Sequence, residues 1–434
     1  MVFIKERLGN GLRIVAEEIK YVNSISIGIW VKTGSRYENA LTNGVSHFIE
    51  HMLFKGTKNR TAKDIANSID KIGGQLNAFT SKECTCFYAK VLDSHFDIAL
   101  DILCDMFLNS SFSEKEIEKE KGVVLEEISM YEDSPEDLVH DIFTQTVWAG
   151  NPLGMSILGT GDSLMSLTRK DIINYLKKNY TPENVVISLV GNFDKDFALK
   201  RISNAFNDYN SANTIRENGS EPVFISKNAY KYKDTEQTHI CLGFKGLELG
   251  SEYTYPLLVM NNIFGGSMSS RLFQKIREEK GLAYSVFSYP SSYIGCGLFS
   301  IYAGMNPSQV ETVLSIVDNE INELRNNSIT SQELYDSKEQ LKGNYILGLE
   351  STSGRMISIG KSELLLNRIY SPKEIISLID SVTIDDVRYV INNIFDDKNK
   401  GSAVIGPKDI NWGMQTANIQ KNGGKFLMNS VEIF

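Results

Sequence analysis

Signals for disulfide formation and for membrane crossing are both missing from this chain. Only five cysteines occur in 434 residues; Cys84, Cys86, Cys104, Cys241 and Cys296 are an odd set without a Cys-x-x-Cys pair. Neither a disulfide frame nor a thiolate zinc site is indicated, and reduced, partly buried thiols are expected. No run of about eighteen uninterrupted apolar residues offers a membrane span. The opening MVFIKERLGNGLRIVAEE lacks the apolar core of a signal peptide, so a cytoplasmic location is expected. Basic excess is absent too. A formal net charge of -9 and a pI near 5.3 argue against nucleic acid or anionic membrane as partners, and suit basic peptides better.

Histidine is also scarce, with five in the chain, yet two of them stand one helical turn apart in NGVSHFIEHMLFKGT, residues 43–57. Ser46 to Lys55 contains neither proline nor glycine and runs into Gly56, where a left-handed helix end is expected. On such a helix His47 and His51 share a face, so both imidazoles can reach one ion. Glu50 falls about 60° to one side of His47, placed to touch a water on that ion rather than to replace a histidine. The spacing therefore assigns two metal ligands and one base. This His-x-x-Glu-His order reverses the zincin pattern and is the inverzincin signature.

Hydrophobic residues make up 42% and charged residues 23%, ordinary for a globular protein long enough to need more than one core. SISIGIWVK, residues 24–32, alternates Ile25, Ile27, Ile29 and Val31 and predicts a half-buried strand. Helices are expected over 62–72, 93–109 and 113–131, a strand pair from NAFTSKECTCFYAKV, and a buried strand in TPENVVISLVGNFD. The second half repeats this order at an offset of roughly 215 residues, too long for a solenoid and indicative of a duplicated domain. Two α+β domains follow, 1–210 and 228–412, joined by a polar linker at 211–227. Residues 413–434 read as a loop-like tail without an assigned role. Where the first half has SHFIEHML the second has NNIFGGSMSS, without histidine, so only one half is equipped to hold metal.

A catalytic zinc site takes three protein ligands and an open position. In EKEIEKEKGVVLEEISMYED, Glu120 and Glu127 fall on the stripe of Ile117, Val124, Ile128 and Tyr131 rather than on the solvated acidic face. A carboxylate there needs a cation or strong donors. Periodicity alone leaves either glutamate as the third ligand. His95, His140 and His239 look isolated from one another and read as packing or surface residues.

HFIEHMLFKGT followed at a distance by Glu127, with GSRYE (34–38), GGQLNAFTSKE (73–83) and EDSPED (132–137), resembles the pitrilysin/insulinase superfamily. The likeness is to its short-chain branch, that of the mitochondrial processing peptidase catalytic subunit and its bacterial homologues. The resemblance implies one Zn2+ per chain held by His47, His51 and Glu127, with Glu50 as base and Glu120 supporting the site. It also implies that Arg277 and Tyr284, in SSRLFQKIREEKGLAYSV, reach the bound peptide from the metal-free domain. The peptide itself would add as a strand along Asn77, Ala78, Phe79 and Thr80. A clamshell of two antiparallel sheets, each with helices packed on one face, is the implied fold. The implied activity is endopeptidase cleavage of unfolded peptides or precursor segments in an enclosed cavity. The glycine-rich loop of non-catalytic partner subunits is reduced to Gly265-Gly266, a departure from that pattern, and retention of the full metal motif with Arg277 and Tyr284 suggests a self-sufficient homodimer. The alternatives within the same fold are a scaffold subunit without catalysis and a general oligopeptide-degrading peptidase.

Overall fold

The computed structural model describes residues 3–210, 221–408, 416–422 and 425–428, the last two stretches as backbone. In chain order the first half runs β1 (Ile4–Arg7), β2 (Arg13–Glu18), β3 (Ser24–Val31), α1 (Val45–Leu53), α2 (Ala62–Asp70), β4 (Gln75–Thr80) and β5 (Thr85–Leu92). It continues through α3 (Phe96–Asn109), α4 (Glu114–Asp133), α5 (Pro135–Val147), α6 (Gly161–Ser166), α7 (Arg169–Asn179), β6 (Val185–Gly191) and α8 (Lys195–Ala205). The second half repeats the theme with β7 (Asn228–Tyr232), β8 (Thr238–Lys245), α9 (Thr254–Phe264), β9 (Ala283–Tyr293), β10 (Cys296–Met305), α10 (Val310–Asn327) and α11 (Ser331–Gly348). Then come α12 (Thr352–Leu366), α13 (Pro372–Ser381), α14 (Ile384–Ile394), β11 (Lys400–Gly406), β12 (Thr416–Asn422) and β13 (Lys425–Met428). No helix among the described residues is long and apolar enough to cross a membrane.

The expected α+β architecture with two sheets is present. The first sheet has the order β1-β2-β6-β3-β5-β4, the second β13-β12-β7-β11-β8-β10-β9. Each also contains parallel pairing inside an otherwise antiparallel ladder: β2 with β6 in the first, and β7 with both β11 and β12 in the second. The stretch read as a loop-like tail thus supplies two strands, and part of the proposed linker, 211–220, lies outside the described residues.

Helices cover both faces of each sheet, where one face was expected. In the first unit Ile14, Ile25, Ile27, Ile29, Val31, Ile187 and Leu189 face α1, α3, α7 and α8. The alternate residues Val15, Trp30, Cys86, Val186 and Val190 face Met356, Ile359 and Leu364 of α12. β3 is therefore buried on both sides, not half-buried. Its Ser26 and Gly28, which look like solvent-side residues in the sequence, are small because a helix lies on them. A Cβ on Gly28 would stand 2.5 Å from the Met356 sulfur, and one on Gly360 would stand 2.2 Å from Trp30 Nε1. Polar atoms at this contact are satisfied: Trp30 Nε1 donates to Ser188 Oγ at 2.8 Å, and Arg355 pairs with Glu17.

The second unit is built the same way. Ile240, Leu242, Phe244, Phe299 and Ile301 pack on α9, α10 and α14. Cys241, Leu298, Tyr302, Ala403 and Ile405 are covered by Leu138, Val139, Ile142, Phe143 and Val147 of α5. Each sheet thus takes its second helical cover from the opposite half of the sequence. The compact units are correspondingly discontinuous: one joins residues 1–128, 156–219 and 346–371, the other 129–155, 220–345 and 372–434. A cut at one linker between 1–210 and 228–412 does not describe them.

Substituting Gly360 measures the α12 contact. An alanine in a helix interior ordinarily gains about 1 kcal/mol over glycine, but a branched side chain here meets the buried Trp30 ring. Gly360→Val is expected to destabilise by about 1–3 kcal/mol through overpacking, read as a lower melting temperature by circular dichroism.

Candidate metal centre

α1 is short and is held at its first turn from outside the helix. Its N-cap, Gly44, has no side chain to accept the free amides. Glu38 does so instead, receiving Gly44 N–H at 2.7 Å and Asn43 Nδ2 at 3.0 Å on Oε2, and Ser46 N–H at 2.8 Å on Oε1. A carboxylate at this end also complements the helix dipole. Ser46 Oγ meets the Tyr175 hydroxyl of α7 at 2.8 Å. Val45, Phe48, Ile49, Met52 and Leu53 anchor the helix in the core. The opposite stripe is left to His47, Glu50 and His51.

The two imidazole rings lie 4.6 Å apart between centroids. Glu127, from α4, brings Oε2 to 3.4 Å from His51 Nε2 and 3.6 Å from His47 Nε2. One ligand atom from each of the three residues falls within 4.8 Å of the other two. Glu120, two turns earlier on α4, faces the other side of His51 and places Oε1 at 2.8 Å from Nδ1. A carboxylate acceptor there assigns the proton to Nδ1 and leaves Nε2 with its lone pair free. Burial, and secondarily the charge of His51, pushes His47 down to about 4, so the ring is neutral and able to ligate near pH 7. Its Nδ1 is buried without a hydrogen-bond partner among the described residues. Two imidazoles and a carboxylate converging from two helices are a donor set that fits Zn2+ with a position left open.

Glu50 sits beside this set. Burial raises its pKa, opposed by the Thr80 hydroxyl and the charge of His51 and reinforced by the Glu127 carboxylate. Thr80 Oγ1 donates to Glu50 Oε2 at 2.6 Å. Thr80 belongs to β4, which pairs with β5 and stands at the end of the first sheet. Asn77, Ala78, Phe79 and Thr80 therefore lie on an edge strand. The Asn77 side chain accepts the Ala78 N–H at 2.8 Å. In the second unit the Arg277 guanidinium lies 4.7 Å from the Tyr284 ring centroid and 4.8 Å from that of Phe273. Tyr284 is 77% exposed.

His140 and His239 are not isolated from one another. His239 Nδ1 lies 2.8 Å from the Tyr302 hydroxyl, and the His140 ring is 5.1 Å from the Tyr302 ring. His140 Nδ1 also meets the Tyr289 hydroxyl at 2.6 Å. Burial is the main cause lowering the pKa of both, as suits neutral rings at the contact of α5, which carries His140, with the sheet, whose β8 carries His239. All five cysteines are buried, and none forms a disulfide. The sequence reading passed over Glu38 and the pairing of Thr80 with Glu50. The matched GSRYE segment contained the first, but its acceptor role became visible only once the helix start was placed.

Residues 13–161 match the model of the insulinase family (peptidase family M16), and residues 166–341 match that of the M16 inactive domain. A Bacillus subtilis protein named as an uncharacterized zinc protease is 47% identical over 399 residues, covering 92% of this chain and 97% of that one. One of Streptomyces coelicolor, named likewise, is 41% identical over 410 residues, covering 92% and 88%. Among solved structures, a protease from Helicobacter pylori superposes with a TM-score of 0.89 at 23% identity, over 94% of this chain and 99% of that one. A peptidase M16 inactive domain from Pseudomonas fluorescens gives 0.86 at 19%, over 94% and 98%; at these identities the agreement concerns the fold. With relatives this similar along nearly its whole length, and with the His-x-x-Glu-His helix inside the matched segment, the chain belongs to the insulinase family, peptidase family M16.

Proposed function

We propose that this protein is a zinc-dependent endopeptidase that hydrolyses unfolded peptides. The observation that carries the reading is the convergence of His47, His51 and Glu127, with Glu120 behind His51 and Glu50 beside the set. The names of the relatives as zinc proteases support the choice of metal. Zinc held by these residues supplies a Lewis acid that polarises a peptide carbonyl and makes water acidic enough to be deprotonated near neutral pH.

The chain's own residues do the remainder. Glu50 is a carboxylate with an increased affinity for protons, and Thr80 holds its Oε2. It takes the proton of the attacking water and returns it to the leaving nitrogen. Glu120 orients His51. The free edge of β4 receives the peptide as an added strand, which reads main chain rather than side chains and so suits unfolded substrates. For Arg277 and Tyr284 we assign contact with the peptide, since an exposed phenol backed by a guanidinium offers a donor to a main-chain oxygen. A scaffold without catalysis would need neither the ligand set nor a base beside it.

Two measurements test this reading. A mixture of unstructured peptides incubated with the purified chain and analysed by mass spectrometry is expected to be cut, to be spared after chelation, and to be cut again after zinc is restored. Cleavage indifferent to chelator would remove the zinc. Glu50→Gln is expected to keep its zinc by elemental analysis while kcat falls about 100-fold or more; an active variant would move the base elsewhere.

A further inference from the structure

One charged side chain beside the ligand set has no role in the mechanism above. Lys55 lies just past the end of α1, and its Nζ stands 2.8 Å from Glu120 Oε2. The other oxygen of the same carboxylate meets His51. Glu120 has 2% of its side chain exposed and Lys55 30%. Between two exposed partners such a pair contributes little. Here the carboxylate is buried, where a charge without a counterion is costly, and its two oxygens are divided between an ammonium and an imidazole.

The backbone delivers Lys55 to this place. After α1 the chain turns at Gly56, whose φ of +112° is in the region that favours glycine. Gly56 O then accepts Ser111 N–H at 3.1 Å, Lys58 N–H reaches Asn109 O at 3.0 Å, and Thr57 bridges to Ser110. Asp105 of α3 gathers Thr57 Oγ1 at 2.7 Å, Asn59 Nδ2 at 2.6 Å and Arg60 Nη1 at 2.8 Å. The segment following the metal helix is thus tied to the segment leading into α4, which carries Glu120.

We propose that Lys55 is a positioning residue of the metal centre: its ammonium holds Glu120 in the orientation that accepts the His51 Nδ1 proton and keeps His51 Nε2 turned toward Glu127 and His47. This rests on the zinc reading. Lys55 acts through Glu120 and touches neither metal nor substrate. Removal of a carboxylate that orients a ligating histidine ordinarily lowers metal affinity by roughly 10- to 100-fold, and loss of the residue that orients the carboxylate falls toward the lower end of that range.

The test is a double-mutant cycle on zinc affinity, measured with the full-length chain against a chromophoric chelator. Lys55→Met is expected to weaken zinc binding about tenfold, and Lys55→Gln likewise, because an amide replaces the donor without the charge. In a Glu120→Gln background the same substitutions are expected to change affinity less than about twofold, since interaction through a shared partner is not additive. That background also leaves no uncompensated buried charge, and Lys55→Gln, which keeps a hydrogen-bond donor beside Glu120, supplies the wild-type-background value if Lys55→Met folds poorly. Lys55→Arg is expected to recover most of the affinity. An equal loss in both backgrounds, or wild-type affinity in Lys55→Met, would overturn the role of Lys55 alone. A wild-type chain that takes up no zinc would remove the zinc reading itself and this inference with it.

Discussion

Glu120 is a buried carboxylate, and burying it is tolerable only if both oxygens are met. His51 meets one and Lys55 the other. This demand fixes α1 against α4 to within hydrogen-bond tolerance, and the same contact brings Glu127 opposite the two histidines. The supports of α1 serve that contact. Glu38 closes its free amides at one end, and at the other the turn at Gly56 ties the chain to the segment before α4. The ligand geometry is therefore the product of two helices whose relative register is set by a buried ionic contact rather than by the ligands themselves.

The two sheets follow a second constraint. A strand buried on both faces needs two helical layers, and each half of the sequence places most of its helices on one face. The missing layer comes from the other half: α12 lies on the first sheet, α5 on the second. Close approach demands small residues on the strand, and Ser26, Gly28 and Ser188 provide them beneath α12. In the second sheet Gly243 gives the same room to the Phe143 ring. The contact is specific because Trp30 fills the space that Gly360 leaves.

Much of the metal centre was legible locally. His47, Glu50 and His51 declare themselves by helical spacing, and Glu120 and Glu127 by standing on an apolar stripe; the family likeness implies which of the two is ligand and which support. Non-local contacts were less legible. Ser26 and Gly28 carried the pattern of a solvent face, because periodicity reports the side of a strand and not what lies upon it. The destinations of α5 and α12 depend on pairing of surfaces far apart in sequence. His140 and His239 looked unrelated because Tyr302, which both contact, is distant from each in the chain. Glu38 and Lys55 are ordinary surface charges by composition, and only their partners distinguish them.

The position of α12 also has a consequence for biosynthesis. Strands β1 to β6 and the helices of one face, α8 last, are complete when Ala205 has been made, but Met356, Ile359 and Leu364 belong to a part of the chain that emerges much later. At ordinary rates of translation the interval is on the order of ten seconds or more. Throughout it Val15, Trp30, Val186 and Val190 form an apolar surface without its cover, so the nascent chain carries a nearly finished catalytic half that is open on one side. A ribosome that stops before residue 352 therefore releases a product that carries His47, His51 and Glu127 together with an adhesive face, a form for which chaperones and proteases compete.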